Sequence, residues 1–238
     1  MRLDRFLCEM NLGTRSQVKE LVRRGLVTVN GSPVKDADQK VDELTDRICV
    51  RGQECHYQRF YYFMLNKPAG VVSAVRDRIS ETVMEGLRPE DRHGDLFPVG
   101  RLDKDTEGFL LLSNDGELAH RLLSPKRHVD KTYRVRLEHE LSREEIQRLE
   151  RGVDIGEERP TLPAEVRQTD TREILLTIRE GKFHQVKRML QAVGNGVREL
   201  KRVAFGGIAL DDTLAPGEYR TLTEEEVAIL YEACGHET

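Results

Sequence analysis

Residues Phe97-Pro98-Val99-Gly100-Arg101-Leu102-Asp103-Lys104-Asp105-Thr106-Glu107-Gly108 crowd carboxylates and cations between Gly100 and Gly108, and run straight into Phe109-Leu110-Leu111-Leu112 and then Ser113-Asn114-Asp115-Gly116. The short apolar run predicts a strand, the charged run predicts the loop that enters it, and Ser113 to Gly116 predicts a turn. Such a loop can be a turn and nothing more. Asp103 and Asp105, two residues apart, with Asp211-Asp212 downstream, also suit a magnesium-held phosphoryl acceptor. That chemistry places its nucleophile at the end of an unbroken parallel strand, and Pro98 with Gly100 interrupts the run here. The phosphotransferase reading is therefore disfavoured.

Working outward, Tyr61-Tyr62-Phe63-Met64-Leu65 predicts a strand that stops at Asn66-Lys67-Pro68-Ala69-Gly70 and resumes at Val71-Val72-Ser73. Ile174, Leu176 and Ile178 alternate as in a strand covered mainly on one side. Val186, Met189, Leu190 and Val193 have helical spacing, and Gly194 to Gly196 ends that run. Thr223 and Glu226 form a capping box ahead of the stripe Val227, Leu230, Tyr231 and Cys234. Near the start, Thr14 with Gln17 opens a helix that Gly25 closes, with Val18, Leu21 and Val22 as its apolar stripe. Leu26 to Val29 then reads as a strand, Asn30-Gly31 as a tight primed turn, and Ser32-Pro33-Val34 as the return. A last short strand covers Arg47 to Val50, and Arg51 to Arg59 has no clear period, which marks a linker. Strands and helices without regular βαβ alternation give an α+β class, with a small helix-and-hairpin domain and its linker at 1–59 and a second domain at 60–238.

Composition narrows the function classes. The chain has 238 residues, with Lys+Arg 38 against Asp+Glu 42 and a net charge of -4, which excludes a uniformly basic nucleic-acid-coating protein. The charge is unevenly divided: Met1 to Arg59 carries net +2, and Phe205 to Thr238 carries net -7. Any RNA site is thus a local basic patch, and the acidic C-terminal helix belongs on an outer surface. Arg15, Lys19 and Arg23 recur at steps of four and line one side of the first predicted helix. The start lacks the apolar run of a signal peptide, and no segment approaches the roughly 20 apolar residues that span a bilayer, so a cytoplasmic protein is expected. Cys8, Cys49, Cys55 and Cys234 form no CxxC pair, so reduced cysteines and no zinc site are expected.

Two resemblances sharpen this reading. MRLDRFL, the basic helix and GLVTVNG resemble the S-four-type (alpha-L) RNA-binding domain over roughly the first 45 residues. That implies Arg2, Arg5, Arg15, Lys19, Arg23 and Arg24 as RNA-binding residues. GRLDKDTEGFLLLSNDG resembles the catalytic motif of pseudouridine synthases, and FMLNKPAGVVS, DKTYRV and EGKFHQVKRML agree with it in the right order. The ending LKRVAFGGIALDDTLAPGEYRTLTEEE is similar to the small-subunit rRNA pseudouridine synthase A subgroup. The implied catalytic domain has a central mixed, mainly antiparallel sheet.

The resemblance also implies roles. Pseudouridine formation breaks the bond between ribose and the base nitrogen, turns the uracil, and rejoins it through carbon 5. It needs a well-placed carboxylate, which the family supplies from GRLD, here Asp103. A basic residue of QVKRM, Lys187, would keep that carboxylate charged; it lies about 100° around the helix from Val186, at the border of the apolar stripe. Arg188 points further away and suits an RNA phosphate. Tyr133 would lie against the uracil and assist at carbon 5, Leu200 would pack on the base, and Arg101 would fill the gap left by the flipped uridine or hold the RNA open. His184 is the histidine inside a family motif and is expected to face RNA. No cofactor and no metal are expected. The implied substrate is 16S rRNA, at the family's usual uridine 516, free or in a small-subunit assembly intermediate, with the enzyme a monomer. The alternatives are the same chemistry on 23S rRNA and a non-catalytic RNA-binding ribosome-assembly factor.

Overall fold

Leu3, Phe6 and Leu7 fall on one helical face, and the first helix, α1 (Leu3–Glu9), buries all three. The structure, a computed structural model, describes residues 1–93 and 95–235. The chain divides into two units, Met1–Phe60 with Arg88–Asp95, and Tyr61–Leu87 with Leu96 onward. In the first unit α2 (Arg15–Arg23) begins at Thr14, whose side chain and that of Gln17 form the reciprocal capping box, and Val18 and Val22 face the core of α1. Strands β1 (Val27–Val29) and β2 (Ser32–Pro33) form a hairpin through Asn30 and Gly31. Both turn residues have positive φ, 53° and 81°, the backbone that a primed turn requires.

Strand β3 (Ile48–Val50) pairs with β1 and then with β4 (Gln53–Cys55), giving the order β2-β1-β3-β4. Strand β4 corrects the linker expected at Arg51 to Arg59. Arg51 and Gly52, with φ of 53° and 82°, repeat the hairpin geometry of Asn30-Gly31, but Gln53 and Glu54 on the exposed edge carry no alternation to announce a strand. Tyr57 in the same stretch packs its ring 5.7 Å from Phe6 and donates its hydroxyl to Glu9 at 2.9 Å. Arg88–Asp95 also belongs to this unit: Asn11 Nδ2 donates to the carbonyls of Pro89 and Glu90 at 3.2 and 2.9 Å.

The second unit is built on one sheet. Its strands are β5 (Tyr62–Lys67), β6 (Phe97–Pro98), β7 (Glu107–Ser113), β8 (Lys131–Leu137), β9 (Glu165–Asp170), β10 (Glu173–Ile178), β11 (Val197–Phe205), β12 (Ile208–Ala209) and β13 (Tyr219–Thr221). The order is β13-β5-β7-β11-β8-β10-β9, with β6 on β7 and β12 on β11. Only β7 with β11 is parallel among the described strand pairs, so the sheet is mixed and mainly antiparallel, an α+β fold. Helices α3 (Gly116–Leu123) and α6 (Glu224–Ala233) pack on one face, with Met64, Phe109, Leu111 and Phe205. Helices α4 (Arg143–Arg151) and α5 (Gln185–Ala192) pack on the other, with Leu65, Leu110, Leu112 and Val135. Strand β7 is covered on both faces, which is why its sequence is an unbroken apolar run rather than an alternation. Each of its four leucine and phenylalanine side chains, fully buried, contributes roughly 1.5–3 kcal/mol.

Three local expectations differ from what forms. Asn66 and Lys67 continue β5 instead of ending it, because their side-chain donors are bonded inside: Asn66 Nδ2 donates to Leu214 O at 2.8 Å, and Lys67 Nζ to Thr106 O at 2.8 Å. Val71 to Ser73 forms no full strand; Val72 makes one isolated bridge with Thr82. Ser113 to Gly116 is a helix start, not a plain turn, since Asp115 caps α3 by accepting from Leu118 N at 3.0 Å.

Candidate active site

The loop from Val99 to Thr106, between β6 and β7, is held by its backbone. Ser73 Oγ donates to Leu102 O at 3.0 Å and accepts from Leu102 N at 3.1 Å. The buried Lys67 ammonium donates to the carbonyls of Pro68, Lys104 and Thr106 at 2.9, 3.3 and 2.8 Å. Burial lowers the Lys67 pKa to about 8, the expected direction for a cation removed from water. Gly108, with φ 102°, ends the loop where β7 meets β11: a Cβ there would lie 2.2 Å from Arg202 O, so no side chain fits between the strands. Asp103 is thus fixed from both sides, between a clamped Leu102 and a clamped Lys104.

The Asp103 carboxylate has two cationic or polar neighbours, both from the segment that opens α5. Lys187 Nζ lies 3.2 Å from Oδ2, and His184 Nε2 lies 3.5 Å from Oδ1. Lys187 also reaches Asp105 Oδ1 at 2.6 Å. Burial lowers the Lys187 pKa, but hydrogen bonds to Asp105 and Asp103 outweigh it and the net direction is upward; the Lys187 bond holds Asp105 below the ordinary carboxylate value. His184 precedes α5 in a left-handed conformation, φ 50°, with its ring stacked 3.8 Å from that of the exposed Phe183.

These groups open on a cavity of about 450 Å³ lined by Arg101, Asp103, Tyr133, His184, Lys187 and Leu200, a volume in the range of small-ligand sites. Tyr133 on β8 and Leu200 on β11 are buried. Arg101 is exposed and forms no ion pair among the described residues. Arg188 stands apart and corrects an expectation: its guanidinium donates to Glu157 at 2.6 Å, to Phe183 O at 3.0 Å and to Ile155 O, so its donors brace the protein rather than point to a phosphate.

Sequence reasoning passed over Asp105 as a partner of Lys187, Lys67 and Ser73 as clamps of the loop, and Lys131, Lys182 and Arg202 in the cavity wall. Lys131 and Arg202 sit two residues from Tyr133 and Leu200, so strand period alone placed them on the same face. Five cationic side chains and a single carboxylate line the cavity, against a chain of net charge -4.

The basic residues of the first unit are less free than their spacing suggests. Arg2 pairs with Asp4 at 2.8 Å and with Asp38, Arg5 with Glu9 at 2.6 Å, and Lys19 with Asp38 at 3.9 Å. Arg23 and Arg24 share Glu20, the latter at 2.8 Å. Arg15 is exposed and has no ion pair among the described residues. The cysteines are free thiols. Among the described residues no three His, Cys, Asp or Glu side chains cluster as metal ligands, and no helix is long and apolar enough to cross a membrane.

A cationic cavity around one carboxylate, in a chain with a mixed-sheet unit and a helix-and-hairpin unit, has the charge for a polyanionic substrate and the carboxylate of an enzyme. The model of the family described as RNA pseudouridylate synthase matches residues 61–192, and that of the S4 domain matches 1–48. An uncharacterised RNA pseudouridine synthase of Bacillus subtilis, YtzG, is 52% identical over 98% of this chain and 99% of its own. A ribosomal small subunit pseudouridine synthase A of Vibrio cholerae is 44% identical over 97% and 100%, and that of Escherichia coli 42% over 96% and 99%. A crystal structure of a pseudouridylate synthase superimposes with a TM-score of 0.69 at 38% identity, covering 97% of this chain and 99% of that one. The chain belongs to the RNA pseudouridylate synthase family and is an isomerase.

Proposed function

We propose that the enzyme converts one uridine of small-subunit ribosomal RNA to pseudouridine, at uridine 516 of 16S rRNA, with Asp103 as the catalytic carboxylate. The observation that carries the reading is the Asp103–Lys187 ion pair at 3.2 Å in a cavity walled by Tyr133 and Leu200. The names of the Vibrio and Escherichia relatives favour the small subunit as the source of the RNA.

To meet Asp103 the uridine leaves its stack, at a cost of a few kcal/mol. Arg101, exposed beside Leu102-Asp103, is the side chain that can occupy the vacated place or hold the neighbouring phosphate. Inside, Leu200 and the Tyr133 ring give the uracil apolar walls. Asp103 meets the nucleotide as an anion, with Lys187 opposite its charge and His184 beside its second oxygen. The bond from ribose carbon 1 to nitrogen 1 breaks, the base turns, and carbon 1 bonds carbon 5. The carbon 5 proton is then lost, with Tyr133 assigned to assist, and nitrogen 1 takes up a proton. The S4 unit binds flanking RNA, with Arg15 the cation of its helix stripe that has no ion pair among the described residues, and the chain acts as a cytoplasmic monomer.

Release of tritium from small-subunit rRNA labelled at uracil carbon 5 tests this, with EDTA present. The parent releases label and Asp103→Asn does not, because an amide cannot act as nucleophile or base. Mapping the modified base then names the site. Release from 23S rRNA alone would move the target to the large subunit, and tight binding with no release from either rRNA would leave a ribosome-assembly factor.

A further inference from the structure

Two cations in the cavity wall take no part in that scheme. Lys131 and Arg202 are 7% and 2% exposed, and both line the cavity. Lys131 lies two residues before Tyr133 on β8, Arg202 two residues after Leu200 on β11, and Arg202 is opposite Tyr133 in register, so all four share one face of the sheet. Among the described residues neither cation has a carboxylate partner. Lys131 Nζ donates to Val129 O at 3.0 Å and Arg202 Nε to Phe109 O at 2.7 Å, and both lie near the Phe205 ring, at 5.7 and 4.9 Å. Arg202 Nη2 is buried with no hydrogen-bond partner.

A buried donor left unsatisfied and two like charges in one wall are each unfavourable. We propose that Lys131 and Arg202 form an anion subsite that takes a backbone phosphate of the RNA beside the reacting uridine. The proposal rests on the cavity being the uridine site. A phosphate supplies acceptors for the free Nη2 of Arg202 and for the two ammonium hydrogens that Lys131 does not spend on Val129. A neutral uracil carbonyl would leave two full positive charges unmatched, whereas RNA brings a negative charge with every nucleotide. Asp103 does not compete for the pair, since Lys187 stands at its own oxygen. Arg101, on the same cavity, extends the cationic side outward.

Titration of uridine 5′-monophosphate, uridine 3′-monophosphate and uridine into the isotope-labelled full chain, followed by NMR of the Lys131 ammonium and Arg202 guanidinium, tests the subsite. One of the two monophosphates shifts both signals saturably and uridine does not, and which one does so places the phosphate 5′ or 3′ of the uridine. Lys131→Met weakens that monophosphate at least about tenfold, and Lys131→Arg keeps it within about threefold. Equal shifts with uridine, or binding that leaves both signals unmoved, overturns the proposal. The parent spectrum alone decides this if a variant does not fold. Phosphate-dependent binding without tritium release from any rRNA would overturn the uridine reading and leave the anion subsite standing; release without phosphate-dependent shifts would do the reverse.

Discussion

Lys187 stands between two carboxylates, and its partition between them is a testable feature of the site. It is 2.6 Å from Asp105 and 3.2 Å from Asp103, and in the proposed mechanism Asp105 holds the ammonium in place while Asp103 uses its charge. Lys187→Met should lower kcat about 100-fold or more, by taking from Asp103 the one ammonium paired with it among the described residues. Asp105→Asn should cost less than about tenfold, because Lys187 then has Asp103 alone to bind. Steady-state tritium release from both variants checks the order, and a larger loss in Asp105→Asn would reverse the assignment. The buried lysines give a pH signature of stability. Burial lowers Lys131 to about 8 from 10.5, with Arg202 the second cause. Between those values the unfolded chain binds the proton that the folded chain has lost, so stability rises with pH across the window and the full penalty applies below it. Urea unfolding should show the parent gaining about 1–2 kcal/mol more than Lys131→Met between pH 8 and pH 10. The same rise in both proteins would mean that Lys131 keeps its proton. Of these residues, Asp103 and Lys187 were legible through motif strings. Lys67 and Arg202 were not, since a buried lysine or arginine in a strand reads as surface until its partners are seen.

At the scale of elements, stop and start signals decided what could be read. Helix α2 and helix α6 carry reciprocal capping boxes and glycine or polar ends, and both formed where their sequences placed them. Helix α1 has no side-chain cap, since Arg2 occupies that position, and its three apolar residues were too few to announce it. Helix α3 was hidden by its own cap, because Ser-Asn-Asp-Gly reads as a turn. That cap now predicts a large effect. Asp115 is buried and accepts from Leu118 N at 3.0 Å, Tyr62 OH at 2.8 Å and Tyr231 OH at 2.6 Å, tying α3 to β5 and α6. Asp115→Ala removes the acceptor of two half-buried tyrosine hydroxyls and of a helix N-terminus, and should destabilise the protein by roughly 3 kcal/mol. Chemical denaturation measures it, and a loss below about 1 kcal/mol would show that the tyrosines find other acceptors. The basic stripe of α2 was legible as a pattern, but its neutralisation was not: Glu20 lies on the same helix, while Asp38 comes from the loop after the hairpin.

For the whole molecule, the net charge conceals a division that the sheet makes physical. The cavity with its five cations opens on the face of Tyr133 and Leu200, while the acidic α6 packs on the opposite face against Phe205 and Leu122. The uneven charge along the sequence is legible; the sheet order that separates the two faces has no local signal, because the parallel neighbours β7 and β11 are far apart in the chain. Counterion release turns this division into a measurement, since each phosphate neutralised by a cation adds nearly one to the slope of log binding constant against log salt. Glu224 and Glu225 are exposed at the start of α6. Neutralising both, Glu224→Gln with Glu225→Gln, should leave the RNA affinity and its salt slope unchanged, although the net charge moves toward zero by two. Arg101→Ala should lower the slope by about one and weaken binding at low salt more than at high salt. If the glutamine pair tightened binding as strongly as Arg101→Ala weakened it, affinity would follow net charge alone, and the cavity would hold no privileged place for RNA.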